Sequence, residues 1–107
     1  MRSIRYIAAA RAEFLHEVQH YSSISASLGE RFDRAVQAAE VRAAETPELG
    51  PPYNHGTRRI LDKKFKFSLV YLHTQHEVTV IAVARFRRKP GYWRARLSDA
   101  SQETPLK

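Results

Sequence analysis

The chain has 107 residues, enough for one domain with its own apolar core, and no cysteine, which excludes a disulfide framework, a thiolate metal site and a cysteine nucleophile. Its formal charge of +7 arises wholly in the second half: residues 1–56 hold 6 Lys/Arg against 7 Asp/Glu, whereas residues 57–107 hold 12 against 4. That asymmetry points to an anionic partner for the second half, either nucleic acid or an acidic protein segment.

Residues 3–7 read as a short opening strand, with Ile4, Tyr6 and Ile7 as β-prone side chains. From about Ala9 the period changes, and Phe14, Leu15, Val18 and Tyr21 recur on one face of a helix that ends near Tyr21. This helix contains His16, Glu17 and His20 in the order H-E-x-x-H, the zinc-protease pattern in which two histidines share a metal and the Glu activates water. At about 100° per residue both histidines lie away from the apolar face, so they are expected in solvent and not in a metal cleft. After a polar break at Ser22, Ser23 and Ser25, Ser27 and Glu30 have the spacing of a capping box. A second helix follows with Leu28, Phe32, Ala35, Val36, Ala39 and Ala43 as its stripe, stopped by Pro47 and by Gly50, Pro51 and Pro52.

Beyond that stop the pattern becomes extended. Residues 58–61 and 65–72 are candidate strands, the latter with Phe65, Phe67, Leu69 and Tyr71 on one face. Residues 73–76 make a turn whose His73 and His76 are expected to be turn residues and not metal ligands. Residues 77–85 form a Val/Ile-rich strand that is apolar on both faces, as a central strand is. Pro90 and Gly91 end the pairing, residues 92–97 add a helical turn, and residues 98–107 form a polar, frayed tail. The expected fold is α+β and a single domain over residues 1–97. A two-helix antiparallel hairpin packs on one face of a mainly antiparallel sheet, built from the N-terminal strand and three C-terminal ones; the other face is left for a partner.

The opening residues, broken by Arg11 and Glu13, do not form a secretion signal, and no stretch approaches the ~20 apolar residues of a membrane span. A soluble, cytoplasmic protein with no membrane contact, metal or cofactor is expected.

Arg85, Arg87, Arg88, Lys89, Arg94 and Arg96 place six cations within twelve residues, interleaved with Phe86, Tyr92 and Trp93. Such a mixture suits phosphates, bases or an acidic peptide better than it suits a merely solvated sheet edge. Tyr92 and Trp93 fit equally well as core aromatics pinning the C-terminal segment.

Three segments in order resemble the RelE/ParE toxin superfamily: TPELGPPYNHGTRRIL at residues 46–61, FKFSLVY at residues 65–71, and IAVARFRRKPGYW at residues 81–93. The resemblance implies a small toxin of a type II toxin–antitoxin (plasmid stabilisation) system, held inactive by an antitoxin that folds around it through acidic and apolar segments. In RelE-like members it implies ribosome-dependent mRNA cleavage. Arg85, Arg87, Arg88 and Tyr92 would then be catalytic, supplying the charge that a pentavalent phosphate gathers. In ParE-like members it implies inhibition of DNA gyrase and no such enzyme chemistry. Aligned on Ala82, Val83 and Ala84, the position of the key arginine of RNA-cleaving members holds Phe86, and the Arg87-Arg88-x-Pro90-x-Tyr92-Trp93 ending is similar to the ParE-like branch. The expected contact surface for antitoxin or target comprises Arg58, Lys63, Lys64, Lys66, Arg85, Arg87, Arg88, Tyr92, Trp93 and Arg94. A further alternative is a non-toxic nucleic-acid-binding module.

Overall fold

The computed structural model describes residues 1–98. The elements follow in the order β1 (Ser3–Tyr6), α1 (Ala8–Ile24), α2 (Ala26–Glu45), β2 (Arg58–Asp62), β3 (Phe67–His73) and β4 (Glu77–Arg85), with short 3-10 turns at Pro47–Leu49 and Asn54–Gly56 between α2 and β2. One mixed sheet has the order β1-β4-β3-β2, antiparallel except for the parallel β1/β4 pair. The expected α+β arrangement is therefore the observed one, and β4 is indeed central, with Val78 to Ala84 all buried.

The helices form a hairpin because only Ser25 separates them. Ser25 ends α1 and also caps α2, its side chain accepting a hydrogen bond from the Leu28 N–H at 3.0 Å. This corrects the expected capping box at Ser27 and Glu30, and α1 runs three residues past Tyr21. The helices meet closely at Gly29, where a Cβ would fall 2.1 Å from Ser22 Oγ. The α2 stripe is buried at Phe32, Val36, Ala39 and Ala43, while Leu28 is only partly buried. On α1, Leu15 does not join the face and is 54% exposed.

Phe32 sits in the middle of the helix–sheet interface, with the rings of Tyr21, Phe65 and Phe67 at 4.9, 5.5 and 5.5 Å and Phe14 at 6.3 Å. Phe65 reaches it from a turn, not from the expected start of β3. The Asp62 carboxylate accepts from the N–H groups of Lys64 and Phe65, both at 2.9 Å, and Lys66 adopts φ +59° before the strand begins. At the other hairpin the Thr74 hydroxyl accepts from the His76 and Glu77 N–H groups, so a threonine organises the turn between His73 and His76.

The sheet face away from the helices is not bare. Val70 and Ala82 are fully buried there, and Trp93, 1% exposed, belongs to the same core. The loop between α2 and β2 and the turn after β4 close over that face, with the rings of Tyr53 and Trp93 5.9 Å apart. On that face an open hollow remains at the end of the sheet near Leu61 and Phe86.

Candidate functional site

The basic C-terminal segment is held by two carboxylates one turn apart on α1, Glu13 and Glu17. Glu13 accepts hydrogen bonds from both terminal guanidinium nitrogens of Arg96, at 2.8 and 3.0 Å, and from the hydroxyl of Tyr92. It also accepts the Val83 N–H at 3.1 Å, while Arg96 donates to the Ile81 carbonyl at 3.1 Å. These two backbone groups lie on the stretch of β4 that β1 does not reach, since β1/β4 pairing ends at Tyr6 and Val80. Side chains thus satisfy a strand edge that would otherwise carry unpaired polar groups. One turn along α1, Glu17 pairs with Arg85 at 3.3 Å; its other oxygen is buried with no partner among the described residues.

This clasp changes the chemistry of the residues it touches. Burial, and after it the hydrogen bond to the anionic Glu13, push the Tyr92 hydroxyl well above the usual tyrosine range. The Arg96 guanidinium is likewise held charged: desolvation alone would lower its pKa, but the hydrogen bond and charge of Glu13 raise it. The guanidinium of Arg88 stacks on the outer face of the Tyr92 ring, 3.7 Å from its centroid. A tyrosine so placed is a proton donor committed to a carboxylate and is poorly suited to act as a base.

The sequence-expected residues fall into separate groups. Lys66, Arg85 and Arg87 line one concavity with Phe86, and the Phe86 N–H donates to the Lys66 carbonyl at 2.9 Å, joining the turn after β2 to the end of β4. Lys63 and Lys64 are exposed in that same turn. Arg85 and Arg88, with Tyr92 and Trp93, also border a second hollow of about 270 Å³ beside Phe86. Arg94 is exposed on the final turn. One residue is elsewhere. Arg58 is at the far end of β2, opposite Tyr71, where its guanidinium donates to the Gly50 carbonyl at 2.7 Å and braces the loop. Trp93 borders the hollow while being 1% exposed, so it is also part of the core.

Glu13, Glu17 and Arg59 were not among the expected functional residues, whereas Arg96 and Phe86 were expected as members of the basic cluster. For the two carboxylates the signal was slight, an i, i+4 acidic pair on the helix that packs nearest a basic segment. Arg59 stacks on Tyr53 with 4.0 Å from guanidinium carbon to ring centroid, and Phe86 is 46% exposed despite its size. His16 and His20 lie on the surface, and no group of three or more potential metal ligands occurs among the described residues.

No family model matches the chain, and no curated protein matches it. Among solved structures, the fold is similar to that of a chain described as "Chromosomal ParDE TA system from P. aeruginosa", with a TM-score of 0.59 and 21% identity, covering 79% of this chain and 96% of that one. The order of elements, the mixed sheet and this likeness together show that the chain shares the α+β fold of that ParDE chain.

Proposed function

We propose that this protein is the toxin of a type II toxin–antitoxin pair, of the ParE-like branch, acting in the cytoplasm by inhibiting DNA gyrase and neutralised by a cognate antitoxin. The fold supports the toxin reading, and the basic surface around Phe86 suits an acidic, apolar antitoxin segment. The observation that carries the choice of branch is the capture of Tyr92 and Arg96 by Glu13. A ribosome-dependent mRNA endonuclease would need its tyrosine and arginines turned towards a phosphate, and here two of the four residues of that reading, Tyr92 and Arg85, are engaged by helix carboxylates. By contrast Arg87, Arg88, Lys89 and Arg94 have no ion pair among the described residues and stand ready for a protein partner.

Controlled expression in a bacterial host tests the reading. A ParE-like toxin arrests growth with induction of the DNA-damage response and intact mRNA, and co-expression of its antitoxin relieves the arrest. Arrest accompanied by cleavage of translated mRNA would assign the endonuclease activity instead, and normal growth with folded protein present would remove the toxin reading.

A further inference from the structure

We infer that, of the two adjacent arginines after β4, it is Arg88 and not Arg87 that contacts an acidic group of the protein target, and that Tyr92, gripped by Glu13, is its positioning residue. This rests on the gyrase reading and names the side chain that binds and the one that holds it.

In the sequence Arg85, Arg87 and Arg88 look alike; in the fold their surroundings differ. Arg85 is paired with Glu17 at 3.3 Å, so its charge is met within the chain. Arg87 and Arg88 are both exposed and have no ion pair among the described residues. Arg87, beside Phe86 and Lys66, stacks on no aromatic ring among the described residues. Arg88 alone is both uncompensated and fixed in direction. Its guanidinium carbon lies 3.7 Å from the centroid of the Tyr92 ring. The chain brings the two together by tight turning: the Arg88 N–H donates to the Arg85 carbonyl at 3.0 Å and the Tyr92 N–H to the Lys89 carbonyl at 3.1 Å.

A guanidinium laid on a ring keeps its charge and its N–H edge, which can meet a carboxylate through two parallel hydrogen bonds. An unheld arginine loses rotamer freedom when it binds, whereas an ordered one has already lost it, a difference worth about three- to ten-fold in affinity. An acidic group is the matching partner, because residues 57–107 hold 12 Lys/Arg against 4 Asp/Glu.

The platform is itself fixed. Tyr92 donates its hydroxyl to Glu13 on α1, and the same carboxylate receives both terminal nitrogens of Arg96. Arg96 also borders the ring, with its guanidinium carbon 5.2 Å from the centroid. The Glu13 carboxylate is thus engaged by Arg96 and the hydroxyl, and it orders Arg88 through the ring without pairing with it.

The experiment measures the concentration of full chain that half-inhibits supercoiling by purified gyrase. Arg88→Ala is expected to raise it by about ten-fold or more, and Arg87→Ala by less than about three-fold. Tyr92→Leu raises it by about three- to ten-fold in the native chain and adds nothing in the Arg88→Ala background, because a positioning residue acts only through the side chain it positions. Tyr92→Phe keeps the ring, loses only the bond to Glu13 and gives a smaller loss. Tyr71→Phe, which removes a buried hydroxyl from the core, controls for stability and leaves inhibition unchanged. Three results would overturn the inference while leaving gyrase inhibition in place: equal losses for Arg87→Ala and Arg88→Ala, a Tyr92→Leu loss that persists in the Arg88→Ala background, or an equal loss in Tyr71→Phe. No inhibition by the folded native chain would remove the gyrase reading and the inference with it.

Discussion

Arg96 places both of its terminal guanidinium nitrogens on the carboxylate of Glu13, 83 positions earlier in the chain. The pair is mostly shielded, with side-chain exposures of 20% and 17%, and it fastens the last turn of the described chain to α1. Breaking it from one side leaves a charge or a set of donors without a partner. Glu13→Gln and Arg96→Met are each expected to lower stability by about 2 kcal/mol in urea unfolding, with a double mutant less destabilised than the sum. Full additivity in that cycle would mean that the two side chains do not interact in solution.

The hydroxyl of Tyr92 is expected to stay protonated at pH values where an ordinary tyrosine ionises, because its folded-state pKa is raised by burial and by Glu13. The sign of the linkage follows. Below about pH 10 the hydroxyl is protonated in both folded and unfolded chains and its contribution is complete; above that value the unfolded chain ionises first and the contribution is lost as pH rises. Ultraviolet titration of the protein against Tyr92→Phe measures this directly. A difference spectrum showing Tyr92 ionised in the folded state near pH 10 would rule out the clasp.

How much of this was legible in the sequence differs from element to element. The strand β4 was readable because Val78, Val80, Ile81 and Val83 can satisfy only a buried extended segment. The start of α2 was not, because the chain offers several serines within a few residues and only the backbone geometry selects Ser25. Alternation carried the reading of β3 back to Phe65, since a turn made by the Asp62 side chain keeps the aromatic parity while removing the pairing. The basic cluster was evident as composition, but its division into captured and free cations depends on Glu13 and Glu17, which are distant in sequence.

Lys66 is a non-glycine residue at φ +59° in the turn that meets the end of β4. That conformation costs a side-chain-bearing residue about 1 kcal/mol, and the cation is kept there despite it. Lys66→Gly is expected to leave stability equal or raise it by about 0.5 kcal/mol, with relief of strain partly offset by chain entropy, while weakening contact with the proposed antitoxin. Thermal unfolding together with affinity for the purified antitoxin separates the two effects. A destabilised variant would show that the lysine side chain itself holds the turn.

The hydroxyl of Tyr71, fully buried, donates to the Pro47 carbonyl at 2.6 Å and ties the loop after α2 to the sheet. Tyr71→Phe leaves that carbonyl without its donor and is expected to cost about 1–2 kcal/mol in chemical unfolding. A neutral effect would mean that another donor replaces it.

The central claim is that the exposed basic surface at the end of β4 acts on gyrase. The most direct measurement is a plasmid supercoiling and cleavage assay with purified gyrase and ATP, adding this protein or its Arg87→Ala, Arg88→Ala double variant. The account predicts inhibited supercoiling with accumulated cleaved plasmid for the native chain, and loss of both effects in the double variant. Unimpeded gyrase in the presence of folded native protein would contradict it.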